Sequence, residues 1–266
     1  MLSYHPTTLL LTVSMDWNMA VDPITLIPAA FIVLAAGVIK GTSAFGFGLV
    51  SAPLLLLLWE PRSMVAIVLP LVLVLDTLII LQGRRFVNVR RILPMMAAGA
   101  VGAPLGTYIL IEAPPALLEM AIALSIVGFA GVLLRGYTLT IRRETIAGSI
   151  AGFLSGLMAT TSAVSGPPMT LLLLNQRWER DIFRTSISSC LVPINAIGLL
   201  SLALSGVVTS KTLLVDLVFL PLVLLAYVGA LRLLPHLHGE VFRRLAALLV
   251  MAAGIMAIIG RVVELF

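Results

Sequence analysis

Uncharged apolar windows recur along this chain. Segments of about 18 or more such residues follow one another through nearly the whole sequence, and each is long enough to cross a bilayer core as a helix. In hydrocarbon every backbone N–H and C=O needs an internal partner, so such segments fold as α-helices. Composition agrees: 60% of the 266 residues are hydrophobic, only 11% are charged, and mean hydropathy is +1.14. A soluble domain of this length needs far more charged surface. The sequence predicts an all-α polytopic membrane protein.

Candidate segments lie near residues 22–40, 45–58, 64–82, 92–111 and 116–134, then near 144–160, 167–177, 182–205, 212–232 and 244–261. The second and seventh are short for a core of roughly 30 Å. They read either as crossings or as re-entrant or interrupted helices. The stretch before the first span, residues 1–21, carries no lysine or arginine ahead of its short apolar run and does not read as a cleaved signal peptide.

Basic residues set the expected orientation. With the N-terminus outside and ten crossings, fourteen of the 17 lysines and arginines fall at inside ends, and only Arg62, Lys211 and Arg261 fall outside. The positive-inside rule therefore predicts that both termini are extracytoplasmic. It also accounts for the net charge of +5 without a nucleic-acid partner; the basic loop QGRRFVNVRR reads as cytoplasmic, in contact with lipid headgroups at most.

Within the apolar background two stretches stand out. AGVIKGTSAFGFGLVSAPLLLLL begins at Ala36 and AGFLSGLMATTSAVSGPPMTLLL at Ala151. A spacing of 115 carries Gly37 to Gly152, Gly41 to Gly156 and Pro53 to Pro168. The ordered matches predict two repeats: residues 22–134, and residues 144–266 after a cytoplasmic connection at 135–143. Five segments per repeat make the second an inverted copy of the first, with interrupted helices at the centre of each, as in many secondary transporters.

Interrupted helices at membrane depth are tolerated where protein, water or a ligand supplies the missing hydrogen bonds. Thr42, Ser43, Phe45, Gly46, Gly48 and Ser51 in the first stretch are candidates for an anion pocket. Thr161, Ser162, Ser165 and Gly166 in the second complete it, and Asn195 joins them from a later helix. The expected chemistry is backbone amides and hydroxyls without a fixed positive charge. The competing reading is that small residues serve close helix packing and the hydroxyls bond within their own helices.

Asp76 is an acid about two thirds of the way along its span. It reads as a proton-coupling candidate, as one half of a buried ion pair with Lys40, or as an interfacial carboxylate. Asp216 reads as a helix cap or an outward-pointing side chain. Thr185, Ser188, Ser189 and Asn195 share helical spacing that would line a pathway.

The sequence offers no catalytic residues and no metal site. His236 and His238 are two apart, a poor spacing for one helix face. The lone cysteine, Cys190, makes no disulfide within the chain. No nucleotide-binding Walker motif occurs, and no cofactor is expected.

The paired glycine-rich stretches resemble the two signature regions of the sulfite exporter TauE/SafE family, including the Gly166–Pro167 step. Many family members carry Gly-Gly before the proline where this chain has Ser165–Gly166. The resemblance implies a secondary carrier in a bacterial or archaeal cytoplasmic membrane. It implies a small sulfur-containing or organic anion as substrate, such as sulfite, thiosulfate or sulfoacetate, and coupling to the proton gradient. An anion channel or a non-transporting scaffold is the alternative, and a homo-oligomer is compatible with either.

Overall fold

The computed structural model describes residues 23–83, 89–135, 144–174 and 180–234. The N-terminal stretch, the tenth predicted segment at 244–261, and His236 and His238 lie outside the described residues. Among those described, nine helices form: α1 (Pro23–Ser43), α2 (Phe47–Leu55), α3 (Pro61–Gly83), α4 (Val89–Glu112), α5 (Pro115–Arg135), α6 (Glu144–Ser162), α7 (Gly166–Leu174), α8 (Arg180–Leu204) and α9 (Ser210–Leu233). They coincide with the first nine predicted segments to within a few residues. Five helices (α1, α3, α4, α8 and α9) are long and apolar enough to cross a membrane. The protein is an all-α polytopic membrane protein.

Side chains sort by environment as a bilayer demands. Ile24 and Phe31 on α1, and Leu217 and Leu225 on α9, are exposed on the outer surface. The interior is mostly apolar but also takes in polar and charged side chains, among them Lys40, Asp76, Arg184 and Asn195. Lipid can cover the first set but cannot hydrogen-bond the second.

Helix directions follow from the contacts. Gly37 sits against Ala226 and Gly41 against Ala230, so α1 and α9 run the same way. Tyr227 donates to the Leu78 carbonyl, and Phe219 lies against Trp59 just before α3, so α9 and α3 also run together. The chain must therefore reverse between Ser43 and Pro61, with α2 on the return. The α4 and α6 helices are parallel as well: Gly152 faces the Met95 carbonyl and Gly156 the Gly99 carbonyl. An added Cβ at either glycine would overlap that backbone. Thr160 crosses the same seam and donates to the Ala103 carbonyl at 2.7 Å. Gly37, Gly41, Gly152 and Gly156, the residues matched at the 115 spacing, are thus packing residues that let backbones approach closely.

Three residues end α1 and set up α2. Ala44 and Gly46 take left-handed φ values of 66° and 97°, which stops the helical hydrogen-bond ladder. Beyond α6, Ala163 does the same with φ 56°, and its amide donates to the Ala159 carbonyl at 3.1 Å, the single bond of an αL helix end. The two ends correspond at a spacing of 119: Ser43 with Ser162, Ala44 with Ala163, Phe47 with Gly166. The 115 spacing of the glycine and proline matches is four residues short of this. Those matches align packing glycines with one another, whereas the identical Thr-Ser-Ala tripeptides at 42–44 and 161–163 align the helix ends.

Candidate anion site between two helix ends

The two helix ends meet. Gly48, in the first turn of α2, lies so close to Ala163 that an added Cβ would overlap the Ala163 carbonyl. Gly166 at the start of α7 stands against Phe45. Between them is a small cavity of about 10 Å³, room for about one water molecule. Lys40, Phe45, Gly46, Gly48, Ser165 and Gly166 are among the residues that line it. Phe45 closes one flank and meets Phe183 of α8 edge-on, with ring centroids 6.5 Å apart.

The first turn of α2 faces this space. Its first intrahelical bond runs from the Val50 amide to the Gly46 carbonyl, so the amides of Phe47, Gly48 and Leu49 precede the ladder. Gly46, at the N-cap, supplies no side-chain acceptor. On the facing side, Pro167 and Pro168 bring no amide donors. Ser165 is 3% exposed, lines the space, and has no protein hydrogen bond among the described residues.

The other hydroxyls are committed locally. Thr42 donates to the Val38 and Ile39 carbonyls, and Ser43 to the Ile39 and Phe45 carbonyls. Ser51 donates to Phe47, Thr161 to Leu157, and Ser162 to Met158. Each satisfies a carbonyl of its own helix, as hydroxyls in apolar surroundings do. In this conformation Ser165 alone among the predicted hydroxyl donors is turned to the space.

A fixed positive charge is present after all. Lys40 lines the space from α1, and its ammonium pairs with Asp76 Oδ1 of α3 at 2.8 Å. Neither side chain exceeds 2% exposure. Orientation rules place Lys40 at the cytoplasmic end, but the reversal after Ser43 keeps it inside the protein. Of the readings open for Asp76, the structure has the buried ion pair. Ser188 donates to Asp76 Oδ1 at 2.7 Å and Asn195 to Oδ2 at 3.3 Å, both from α8. Asn195 therefore serves Asp76 rather than lining the space, and Thr185 packs against Gly83.

Two further polar residues differ from expectation. Arg184 of α8, one of the basic residues at the inside helix ends, is 4% exposed, and its Nη2 donates to the Gly41 carbonyl at 2.6 Å. That carbonyl is left over because the chain quits the helix: the Phe45 amide, its normal partner, turns to the Ser43 hydroxyl instead. Asp216 neither caps α9 nor points outward. Thr209 and Thr212 form a reciprocal capping box there, and Asp216 is buried, with both carboxylate oxygens lacking a hydrogen bond among the described residues. Nothing in the sequence marked Lys40 as a lining residue beyond its place two residues before the tripeptide that ends the helix.

The family model described as sulfite exporter TauE/SafE matches residues 29–257. The chain belongs to this family. The match takes in α1 through α9 almost whole, including both helix ends and the Lys40–Asp76 pair. No curated protein and no solved structure matches the chain. The TauE/SafE assignment is to a transporter family, and among the described residues no group of three or more His, Cys, Asp or Glu side chains could hold a metal ion.

Proposed function

We propose that this TauE/SafE protein is a secondary carrier that exports a small sulfur-containing or organic anion, with flux coupled to the proton gradient. The observation that carries the reading is the meeting of two helix ends around a small space, with a buried lysine at its edge. Such a place supplies amide donors, a hydroxyl and a positive charge away from bulk water. Hydrogen bonds to an ionised acceptor are stronger than neutral ones. In this reading the anion sits between Gly46–Gly48 and Ser165–Gly166.

The two halves act as inverted repeats. The matching helix ends at a spacing of 119, and the like packing of α1 on α9 and α6 on α4, support this. A carrier of this kind exposes its central site alternately to each side as one half moves against the other. Asp76 is the coupling acid. Both termini are extracytoplasmic, and the membrane is the bacterial or archaeal cytoplasmic membrane.

Purified protein in liposomes tests the reading. Labelled sulfite, thiosulfate and sulfoacetate are offered with and without a pH gradient, beside sulfate and small carboxylates. A carrier gives saturable flux that an excess of unlabelled anion on the far side accelerates. Flux that never saturates and shows no such exchange indicates a channel. No flux of any anion from correctly folded protein removes the transport reading.

A further inference from the structure

Lys40 touches two things at once. Its ammonium binds Asp76 Oδ1 at 2.8 Å, and its side chain lines the space between the helix ends. An ammonium has three donors. One is held by Asp76, and a second makes a long contact of 3.4 Å with the Ala44 carbonyl. Ser165, buried and without a protein hydrogen bond among the described residues, faces the same space.

We infer that Lys40 is the counter-ion of the transported anion, that the anion takes it from Asp76, and that each anion bound therefore draws about one proton onto Asp76. This rests on the carrier reading above and gives the coupling its sign.

Charge balance carries the step. The pair is neutral as it stands, with both groups withdrawn from water. An arriving anion makes the cluster net negative. The other groups facing it cannot absorb that charge. From α8 come Ser188 and Asn195, which are neutral, and Arg184, whose positive charge is matched by Asp181 at 3.9 Å while its Nη2 holds the Gly41 carbonyl. From α9 comes Tyr227, whose hydroxyl is bound to the Leu78 carbonyl and Gln82; Asp216 lies about three turns earlier in that helix. α2 and α7 contain no ionisable side chain. Asp76 is fully buried. A carboxylate left there without its cation is far less stable than a carboxylic acid. The lysine keeps its proton throughout: its hydrogen bond moves from Asp76 to the anion, and the proton that Asp76 gains comes from water. Ser188 and Asn195 remain beside the carboxyl group in both states.

Anion and proton then travel together. A monovalent anion crosses without net charge, so the membrane potential does not drive it. An inward proton gradient favours inward anion flux through such a site, and export runs when the anion is concentrated inside.

The full-length protein in detergent is titrated with thiosulfate, which exchanges no proton near neutral pH. Calorimetry in two buffers of different ionisation enthalpy counts the protons taken up. About one proton per thiosulfate is expected, with Kd rising about tenfold per pH unit. In Asp76→Asn thiosulfate binds without proton uptake, and its Kd is flat with pH. In Lys40→Gln affinity falls at least about tenfold. Wild-type binding without proton uptake, or Lys40→Gln binding as tightly as wild type, overturns the inference and leaves the carrier intact. Wild type that binds neither thiosulfate, sulfite nor sulfate removes the carrier reading and this inference with it. Should Asp76→Asn not fold, the proton count and pH slope of the wild type decide alone.

Discussion

Asn195 donates to Asp76 Oδ2 across the α3–α8 contact, and the two residues stand 119 positions apart in the chain. The same separation relates Ser43 to Ser162 and Phe47 to Gly166. It relates hydrogen bonds as well: Thr42 to the Val38 carbonyl matches Thr161 to Leu157, and Ser51 to Phe47 matches Thr170 to Gly166. In the inverted-repeat reading Asp76 and Asn195 are therefore equivalents that bond each other, one ionisable and one not.

That difference is testable at Asn195. Asn195→Leu removes one donor from a carboxylate that keeps Lys40 and Ser188, and is expected to lower stability by about 1–3 kcal/mol. Asn195→Asp sets a second carboxyl group beside Asp76. Like charges in one buried site do not both ionise, so this variant is expected to lose stability as pH rises where Asn195→Leu does not. Thermal unfolding in detergent across a pH series separates the two. Parallel pH profiles would contradict the shared-site geometry.

Gly48 tests whether the two helix ends must touch. A Cβ there would overlap the Ala163 carbonyl, which is backbone and cannot swing aside. Gly48→Ala is therefore expected to cost about 1–3 kcal/mol and to change the fold's stability as well as anion binding. Gly166 faces the Phe45 Cβ at 3.1 Å from the added atom, a milder conflict, and Gly166→Ala is expected to cost less. Gly229 has open space around it, so Gly229→Ala is the neutral control. Equal melting temperatures for the Gly48 and Gly229 variants would refute the close approach.

Sidedness follows from helix direction combined with the positive-inside rule. Arg62, at the start of α3, donates to the Leu110 and Ile111 carbonyls near the end of α4. Because α8 runs opposite to α3, with Asp76 and Gly83 meeting Ser188 and Thr185, its end at Leu204 lies on that same side. Pro115→Cys and Gly206→Cys in a Cys190→Ser background are expected to react with an impermeant thiol reagent on intact cells, and Glu144→Cys to be protected. Reaction of Glu144→Cys alone would invert the orientation. Opposite behaviour of Pro115→Cys and Gly206→Cys would contradict the helix directions.

The helices were legible because the bilayer permits little else: an apolar window of the right length has one way to satisfy its backbone. The helix ends were legible in their glycines and prolines, but their function was not. Gly41 and Gly46 look alike in sequence; Gly41 packs on Ala230 inside a regular helix, and Gly46 takes a left-handed turn. Hydroxyls were misleading for a related reason. Thr42, Ser51 and Thr161 read as ligand donors, yet each has a carbonyl of its own helix within reach. Lys40 and Arg184 were hidden because both lie near segment ends, where charge usually means a loop. Only the tertiary reversal after Ser43 carries Lys40 to Asp76, and no local signal encodes a partner 36 residues away.

The Lys40–Asp76 pair separates stability from transport. Both groups lie in an interior where an unpaired charge is expensive, so Lys40→Met and Asp76→Leu are each expected to cost about 3–5 kcal/mol. The double variant removes both charges and leaves apolar side chains of similar reach. It is expected to recover most of that loss, since a buried ion pair is often no more stabilising than a well-packed apolar replacement. A double-mutant cycle on melting in detergent measures the coupling. Transport should not recover. If Lys40 holds the anion and Asp76 the proton, the refolded double variant lacks both, and its gradient-driven flux in liposomes is expected to stay at background. A double variant that is stable and transports thiosulfate at the wild-type rate would make the pair purely structural. A double variant no more stable than either single one would mean that Ser188 and Asn195, stranded without the carboxylate, carry as much of the cost as the lost charges.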